Sequence, residues 1–426
     1  MYYVGLDVHA KRSSICILDD HGKLVKRLEV KGDWSRLLEV VDAQVPRPFA
    51  VCYEASCGYG HLYDQFARRA ERVRVAHPAQ LRLIFRSKRK NDRVDSAKLS
   101  KLLYLDEVPV VHVPGVDVRA WRGLINYRRN LVCRRAAVKT QVRALLRGLG
   151  VAATVRGLWT AKGIAWLKGL AMTAADGVRR DVLLDELAHQ DKQVGKVERE
   201  LDRVAAKHPG VALLRTIPGV GPRTAEAFVA HVDDVARFGR VKQVGTYFGL
   251  VPCQDASADR NRLGHITKEG PAQARWLLAE AAWQGRRRSA TIRAFFDRVM
   301  RGDADRKKVA LVATAHYLTR VMAAMLRSGE AWREDPRCPA LPAKADAKAD
   351  AKADAKAKAK AKTAAGAAAG VPSDPVAASY APPGGVKVPS REYTGPCPPG
   401  GSTLTPPGSA GNASGHEVGG DAMRRG

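Results

Sequence analysis

The sequence predicts an α/β domain at the N-terminus, followed by helical segments and a low-complexity tail. Three observations carry this reading. Short apolar runs alternate with helical patterns over residues 1–115. The pattern then turns long, helical and densely basic, and from about residue 336 it gives way to Ala-Lys-Ala-Asp repeats and Pro/Gly/Ser-rich sequence.

The first run, Tyr2–Val8, reads as a buried strand, and Ser14–Leu18 and Leu24–Val30 read as its partners across an Asp20-His21-Gly22 turn. A helix is predicted over Trp34–Ala43, a strand over Phe49–Tyr53, a helix around Leu62–Arg69 and a strand over Val73–Ala76. Asp92 is a good N-cap for a helix reaching Leu105, with Asp95 at the third position of a capping box. Three antiparallel strands followed by β-α-β units make an α/β domain of residues 1–115.

Residues 116–205 are read as a basic helical or coiled-coil region. Its first helix carries Arg119, Arg122, Arg128, Arg129, Arg134, Arg135, Lys139, Arg143 and Arg147, and Asp181–Lys207 has the apolar spacing of a helical hairpin or short coiled coil. Residues 206–330 are read as a mainly helical domain. In it, Leu213 to Pro222 joins two helices through a Gly-rich turn, whose Gly219 and Gly221 suit a helix-hairpin-helix grip on nucleic-acid backbone. Residues 331–426 are expected to be a disordered tail.

The formal charge is +29, and a polyanion is the default partner of so basic a chain. The tail from Pro336 holds 12 Lys/Arg against 7 Asp/Glu, so +24 of the charge belongs to the rest. No stretch approaches 18 uninterrupted apolar residues and no signal peptide opens the chain, which argues against a membrane partner. Seven scattered cysteines without a CxxC pair support neither a zinc site nor a disulfide frame.

Against this charge, four acids stand out. Asp7 and Glu54 sit at strand ends, and Asp92 and Asp95, three apart on a helix, can share a face. Singly they read as turn, surface and capping residues. Together they make a set of hard oxygen donors suited to Mg²⁺ or Mn²⁺, the arrangement that two-metal phosphodiester chemistry requires. Arg86, Lys88, Arg89, Lys90 and Arg93 flank the helical pair.

Three blocks, Gly5-Leu6-Asp7-Val8-His9-Ala10-Lys11, Tyr53-Glu54-Ala55 and Lys90-Asn91-Asp92-Arg93-Val94-Asp95-Ser96, resemble the DEDD-type RuvC-like domain that opens the transposases of the insertion-sequence 110 family. Ile217 to Gly221, Phe248 to Pro252 and Arg262 to Gly270 resemble the same family's second domain. The ordered series spans about residues 1–300. The resemblance implies an RNase H/RuvC-like fold for the first domain and metal ligation by Asp7, Glu54, Asp92 and Asp95. It implies a nucleophilic serine shortly after the Gly-Leu-x-Pro segment. Here that is Ser257, flanked by Ala256 and Ala258 where many relatives carry a Ser-Ser-Gly or similar run, with Thr267 as the fallback. From the residues alone, Ser257 is a polar loop residue.

The reading is therefore a DNA recombinase of a bacterial mobile element, cytoplasmic and nucleoid-associated. It cuts and rejoins DNA with Mg²⁺ and is guided by a structured RNA, as the resemblance implies. A homo-oligomer, dimer or tetramer, is expected because recombination joins several DNA ends. Arg128, Arg129, Arg135, Arg260, Arg262, Lys268 and Arg286-Arg287-Arg288 are the expected backbone contacts, while Trp121, Trp159, Trp166 and Trp276 are expected to pack in cores. Two alternatives stay open: a hydrolytic RuvC-like nuclease of the Holliday-junction-resolvase type, and a non-catalytic nucleic-acid-binding protein. An actin-like ATPase is disfavoured, since no second Asp-Gly phosphate loop or adenosine motif is present.

Overall fold

The computed structural model describes residues 1–84, 92–257 and 260–339, except the side chains of Asp92, Arg93 and Arg260. The chain forms two compact units. One comprises residues 1–134 with the described residues from 184 onward, and the other residues 135–183.

In the larger unit, a five-stranded sheet is built from β1 (Tyr2–Val8), β2 (Arg12–Leu18), β3 (Leu24–Lys31), β4 (Phe49–Glu54) and β5 (Arg72–Ala76). Its strand order is β3-β2-β1-β4-β5, with the first three strands antiparallel and β1, β4 and β5 parallel. The turn before β3 is closed by the Asp19 carboxylate, which accepts from the backbone N–H of His21 and Lys23. One face of the sheet carries α1 (Trp34–Gln44) and α2 (Tyr59–Phe66), with Leu6, Tyr53, Leu62 and Phe66 in a shared core. Past β5 come α3 (Pro78–Ile84) and α4 (Asp92–Tyr104). The opposite face carries α4, with Leu99, Leu102 and Leu103 against Ala50, Cys52 and Ala76.

The predicted helix at Leu62–Arg69 lies three residues earlier than expected. It starts after Gly58, whose φ of 75° gives the chain an N-cap with no side-chain acceptor for a sequence reading to find. Helix α3 was not anticipated.

Long helices α5 (Val116–Gly148) and α7 (Ala174–Ala205) enclose α6 (Ala161–Lys168) in sequence. The smaller unit holds the end of α5, all of α6 and the start of α7. There Thr160 caps α6 by accepting from Gly163 N, and Trp159 lies under Lys139 and Arg143, each 5.2 Å from its ring centroid.

The larger unit resumes with α8 (Pro209–Leu214), α9 (Pro222–Val232) and α10 (Lys242–Tyr247). An antiparallel ribbon of β6 (Pro252–Ser257) and β7 (Arg260–Ile266) follows, then α11 (Ala272–Arg288), α12 (Ala290–Met300) and α13 (Lys307–Ser328). One apolar core joins α8 to α13 with Trp121 and Ile125 of α5 and Val194, Val197 and Leu201 of α7. Helix α13 is long and apolar enough to cross a bilayer by composition, but Ala315, Leu318, Met322 and Ala323 are fully buried in this core. Residues 331–339 are tied back onto it: Trp332 N donates to Thr216 Oγ1 (3.0 Å), and Glu334 accepts from Ser289 Oγ and Thr291 N (3.0 Å each).

Candidate active site

Strand register brings the first two acids together. β1 and β4 pair in parallel up to Leu6 opposite Tyr53, so one step further Asp7 stands opposite Glu54 on a neighbouring strand about 4.8 Å away. Leu6 and Tyr53 point into the core on the α1/α2 side. Alternation along each strand therefore sends Asp7 and Glu54 to the other face, the one that carries α4.

The path of α4 is set by Gly5. A Cβ there would collide with Ser96 O and Ser100 N, so only glycine lets the helix lie directly on the strand. Farther along, Tyr104 meets Tyr3 edge-on at 5.3 Å. With residues 96–100 over Gly5 and Tyr104 over Tyr3, the helix runs opposite to β1. Its first turn, which holds Asp92 and Asp95, is thus directed toward the Asp7 end of the sheet. The Asp92 side chain, like Arg86 to Asn91, lies outside the described residues.

Two of the described acids have basic neighbours. Asp95 Oδ1 accepts from Lys98 Nζ at 3.1 Å, and Asp7 Oδ1 lies 3.5 Å from His9 Nε2. Asp7 is 18% exposed on its side chain, and Glu54 is open to solvent. Among the described residues, no three His, Cys, Asp or Glu stand close enough to hold a metal ion. The donor set fits one nonetheless: two carboxylates on adjacent parallel strands, with a carboxylate-bearing helix start on the same face, offer the hard oxygens that Mg²⁺ takes.

Ser257, expected in a loop, is the last residue of β6, paired with Arg260. All six residues of β6 are exposed. Gln254 Nε2 donates to Asn261 Oδ1 (3.0 Å), bracing the ribbon from outside. Residues 258 and 259 lie outside the described ones. Thr267 follows β7; its Oγ1 is buried without a hydrogen-bond partner and its N donates to Val251 O (2.9 Å).

Several basic residues are engaged within the fold. Arg119 binds Asp64, Arg122 donates to the Ala230 and His231 carbonyls, and Arg128 Nε donates to Glu198 at 2.7 Å. Arg128 is therefore an internal ion-pair partner on the side of α5 that faces α7. Arg129 and Arg135 are half-buried, and Arg262 and Lys268 are exposed. Gly219 (φ 99°) faces α11, where a Cβ would collide with the Gly285 backbone, so it serves packing; a Cβ on Gly221, the N-cap of α9, would meet open space. Trp276, expected in a core, is 58% exposed on α11, whereas Trp121 is buried.

Sequence reasoning overlooked Glu226 on α9. It is 1% exposed, and burial pushes its carboxyl up to about 7 although Arg223 stands 3.1 Å away. Its Oε1 has no hydrogen-bond partner. The apolar residues around it, Ala225, Ala227 and Phe228, made the position legible as core, and the carboxyl there was the available signal.

Residues 4–150 match a family model described as a transposase, the DEDD type of IS110. Residues 211–297 match the model of the IS116/IS110/IS902 transposase family. Asp7, Glu54, Asp92 and Asp95 fall in the first match and Ser257 and Thr267 in the second. The chain is 28% identical to the transposase for insertion sequence element IS1111A of Coxiella burnetii, over 66% of this chain and 76% of that protein. It is 27% identical to a probable family 20 transposase of Pseudomonas aeruginosa, over 78% of this chain and 98% of the relative. It is 25% identical to the transposase for IS1328 of Yersinia enterocolitica, over 66% and 82%.

Proposed function

The chain belongs to the IS116/IS110/IS902 family of transposases, enzymes that act on DNA, and from that premise we propose a cut-and-rejoin recombinase with a carboxylate metal site and a serine nucleophile. The single observation that carries the site is the juxtaposition of Asp7 and Glu54 at the ends of paired parallel strands, on the face that α4 covers. We assign this domain the RNase H/RuvC-like fold, which its mixed sheet order supports.

Asp7, Glu54, Asp92 and Asp95 would hold Mg²⁺ or Mn²⁺. Such an ion supplies charge stabilisation at the reacting phosphate and lowers the proton affinity of an attacking oxygen. The rest falls to the chain's own groups. Lys98, 3.1 Å from Asp95, offsets part of the mutual repulsion of the carboxylates, and His9 stands beside Asp7. Ser257 is carried on an exposed ribbon, where its hydroxyl can reach a phosphodiester. Its Oγ forms a bond to phosphorus as the bond from phosphorus to one deoxyribose oxygen breaks, and the serine proton ends on the departing oxygen. The phosphoserine ester conserves the bond for rejoining. Thr267 is the weaker candidate because its Oγ1 is shut away from solvent.

Exposed Arg262 and Lys268 hold backbone phosphate beside the ribbon, and α8 and α9 with Gly221 between them act as a helix-hairpin-helix. We read α5 and α7 as a coiled-coil region, the enzyme as a cytoplasmic homo-oligomer and its target choice as guided by a structured RNA.

The test is a covalent-adduct assay with labelled DNA on denaturing gels. Wild-type protein should retain label, and Ser257→Ala should retain none. An undiminished adduct in Ser257→Ala would move the role to Thr267. Cleavage without any adduct would make the enzyme a hydrolytic nuclease.

A further inference from the structure

Trp283 on α11 has three cations over its ring. Arg287 Cζ and Lys307 Nζ are each 5.3 Å from the ring centroid, and Arg286 Cζ is 5.8 Å away. They come from the last turn of α11 and from the first residue of α13. Like charges gathered at one indole repel one another, and the ring returns only about 0.5–1 kcal/mol per cation at an exposed position.

The three are not equivalent. Arg286 also lies 4.6 Å over Phe296 and 3.6 Å from Asp297, with its Nε buried, so it fastens α11 to α12. Arg287, Arg288 and Lys308 are exposed, and Lys307 is half-buried.

A second local rule is broken at the same place. The first turn of a helix favours acids, because the dipole and the unpaired N–H groups are positive there. Helix α13 instead opens on Arg306-Lys307-Lys308 and has no side-chain cap. Between residues 286 and 308 the chain carries nine Lys/Arg against three Asp. A helix start and a neighbouring helix end, both cationic and joined through one indole, gain from an anion that spans them.

We propose that Arg287, Arg288, Lys307 and Lys308 form a binding site for the backbone phosphates of duplex DNA, with Trp283 as the platform that holds Arg287 and Lys307 in register. The site lies on elements other than those bearing the carboxylates and the serine. The choice of DNA as the polyanion rests on the transposase reading.

The experiment is fluorescence anisotropy of the full-length protein on a random-sequence duplex, from about 50 to 200 mM salt. The variant Arg287→Gln/Lys307→Gln/Lys308→Gln is compared with the charge-matched control Lys23→Gln/Lys26→Gln/Lys31→Gln, on and beside β3. The proposal expects the first variant to lose about 2.7 from the slope of log K against log salt, at about 0.9 per phosphate contact, and the control to lose almost nothing. Trp283→Leu, with its three cations intact, should weaken binding with a smaller loss of slope. Equal losses in both triple variants, an unchanged slope in the first, or a loss confined to a structured-RNA probe would each overturn the proposal. Thermal melting of each variant checks the fold. Cleavage that persists in Asp7→Ala would refute the recombinase chemistry and leave this binding result standing, so the two failures are distinguishable.

Discussion

Asp7 and Glu54 are the acids to which we assign the metal, and neither carries the core: one is half-buried and the other exposed, on the sheet face away from Leu6 and Tyr53. Asp7→Ala or Glu54→Ala is therefore expected to abolish strand cleavage by at least about a hundredfold while DNA affinity stays within about twofold; gel cleavage and anisotropy on the same preparations check it. Glu226 behaves differently. Its folded carboxyl titrates near 7, above its ordinary 4.5, so the folded state binds more protons than the unfolded one between those values. Its contribution is thus fully present below about 4.5 and is lost as pH rises through 7. Glu226→Gln should flatten the fall in melting temperature across that window and melt higher than wild type at pH 8. A wild-type melting curve indifferent to pH would contradict this. Asp7 and Glu54 were legible as strand-end acids because an apolar run announces a strand. The internal partners of Arg119, Arg122 and Arg128 were not, since a dense basic stripe looks the same whether it faces solvent or Glu198 and backbone carbonyls.

At the scale of elements, the decisive contact is α4 lying on β1 at Gly5. Gly5→Ala inserts a methyl where Ser96 and Ser100 already stand, and should cost about 1–3 kcal/mol or push α4 off the sheet. Differential scanning calorimetry reads the loss, and an unchanged melting temperature would refute the close approach. Most strands and helices of the first 105 residues were readable from their apolar runs, because β2 and β4 are buried on both faces and α1 buries one. The β6–β7 ribbon was not readable. Gln254, Asp255, Ala256 and Ser257 bury nothing, so no apolar alternation marks them as a strand and the segment reads as a loop. What pairs it is backbone register and the Gln254–Asn261 hydrogen bond, neither of which composition reveals.

For the whole molecule, +24 of the +29 formal charge lies before Pro336, and part of it is engaged in internal ion pairs and hydrogen bonds. Residues 331–339, grouped with the tail by composition, are held by Trp332, Glu334 and Asp335 onto Thr216, Ser289 and Thr291. Truncation after residue 339 should leave the melting temperature within about a degree. Truncation before Trp332 should lower it by several degrees, through loss of these hydrogen bonds at about 1 kcal/mol each. Equal melting of both truncations would contradict the anchoring.

The central claim is that Asp7 and Glu54, together with the first turn of α4, capture divalent cations. Manganese titration of the full-length protein, followed by the electron paramagnetic resonance signal of the free ion, tests it directly. Wild-type protein should remove Mn²⁺ from solution with a saturable stoichiometry that Asp7→Asn/Glu54→Gln abolishes while melting normally. Identical Mn²⁺ uptake by the two proteins would contradict the account.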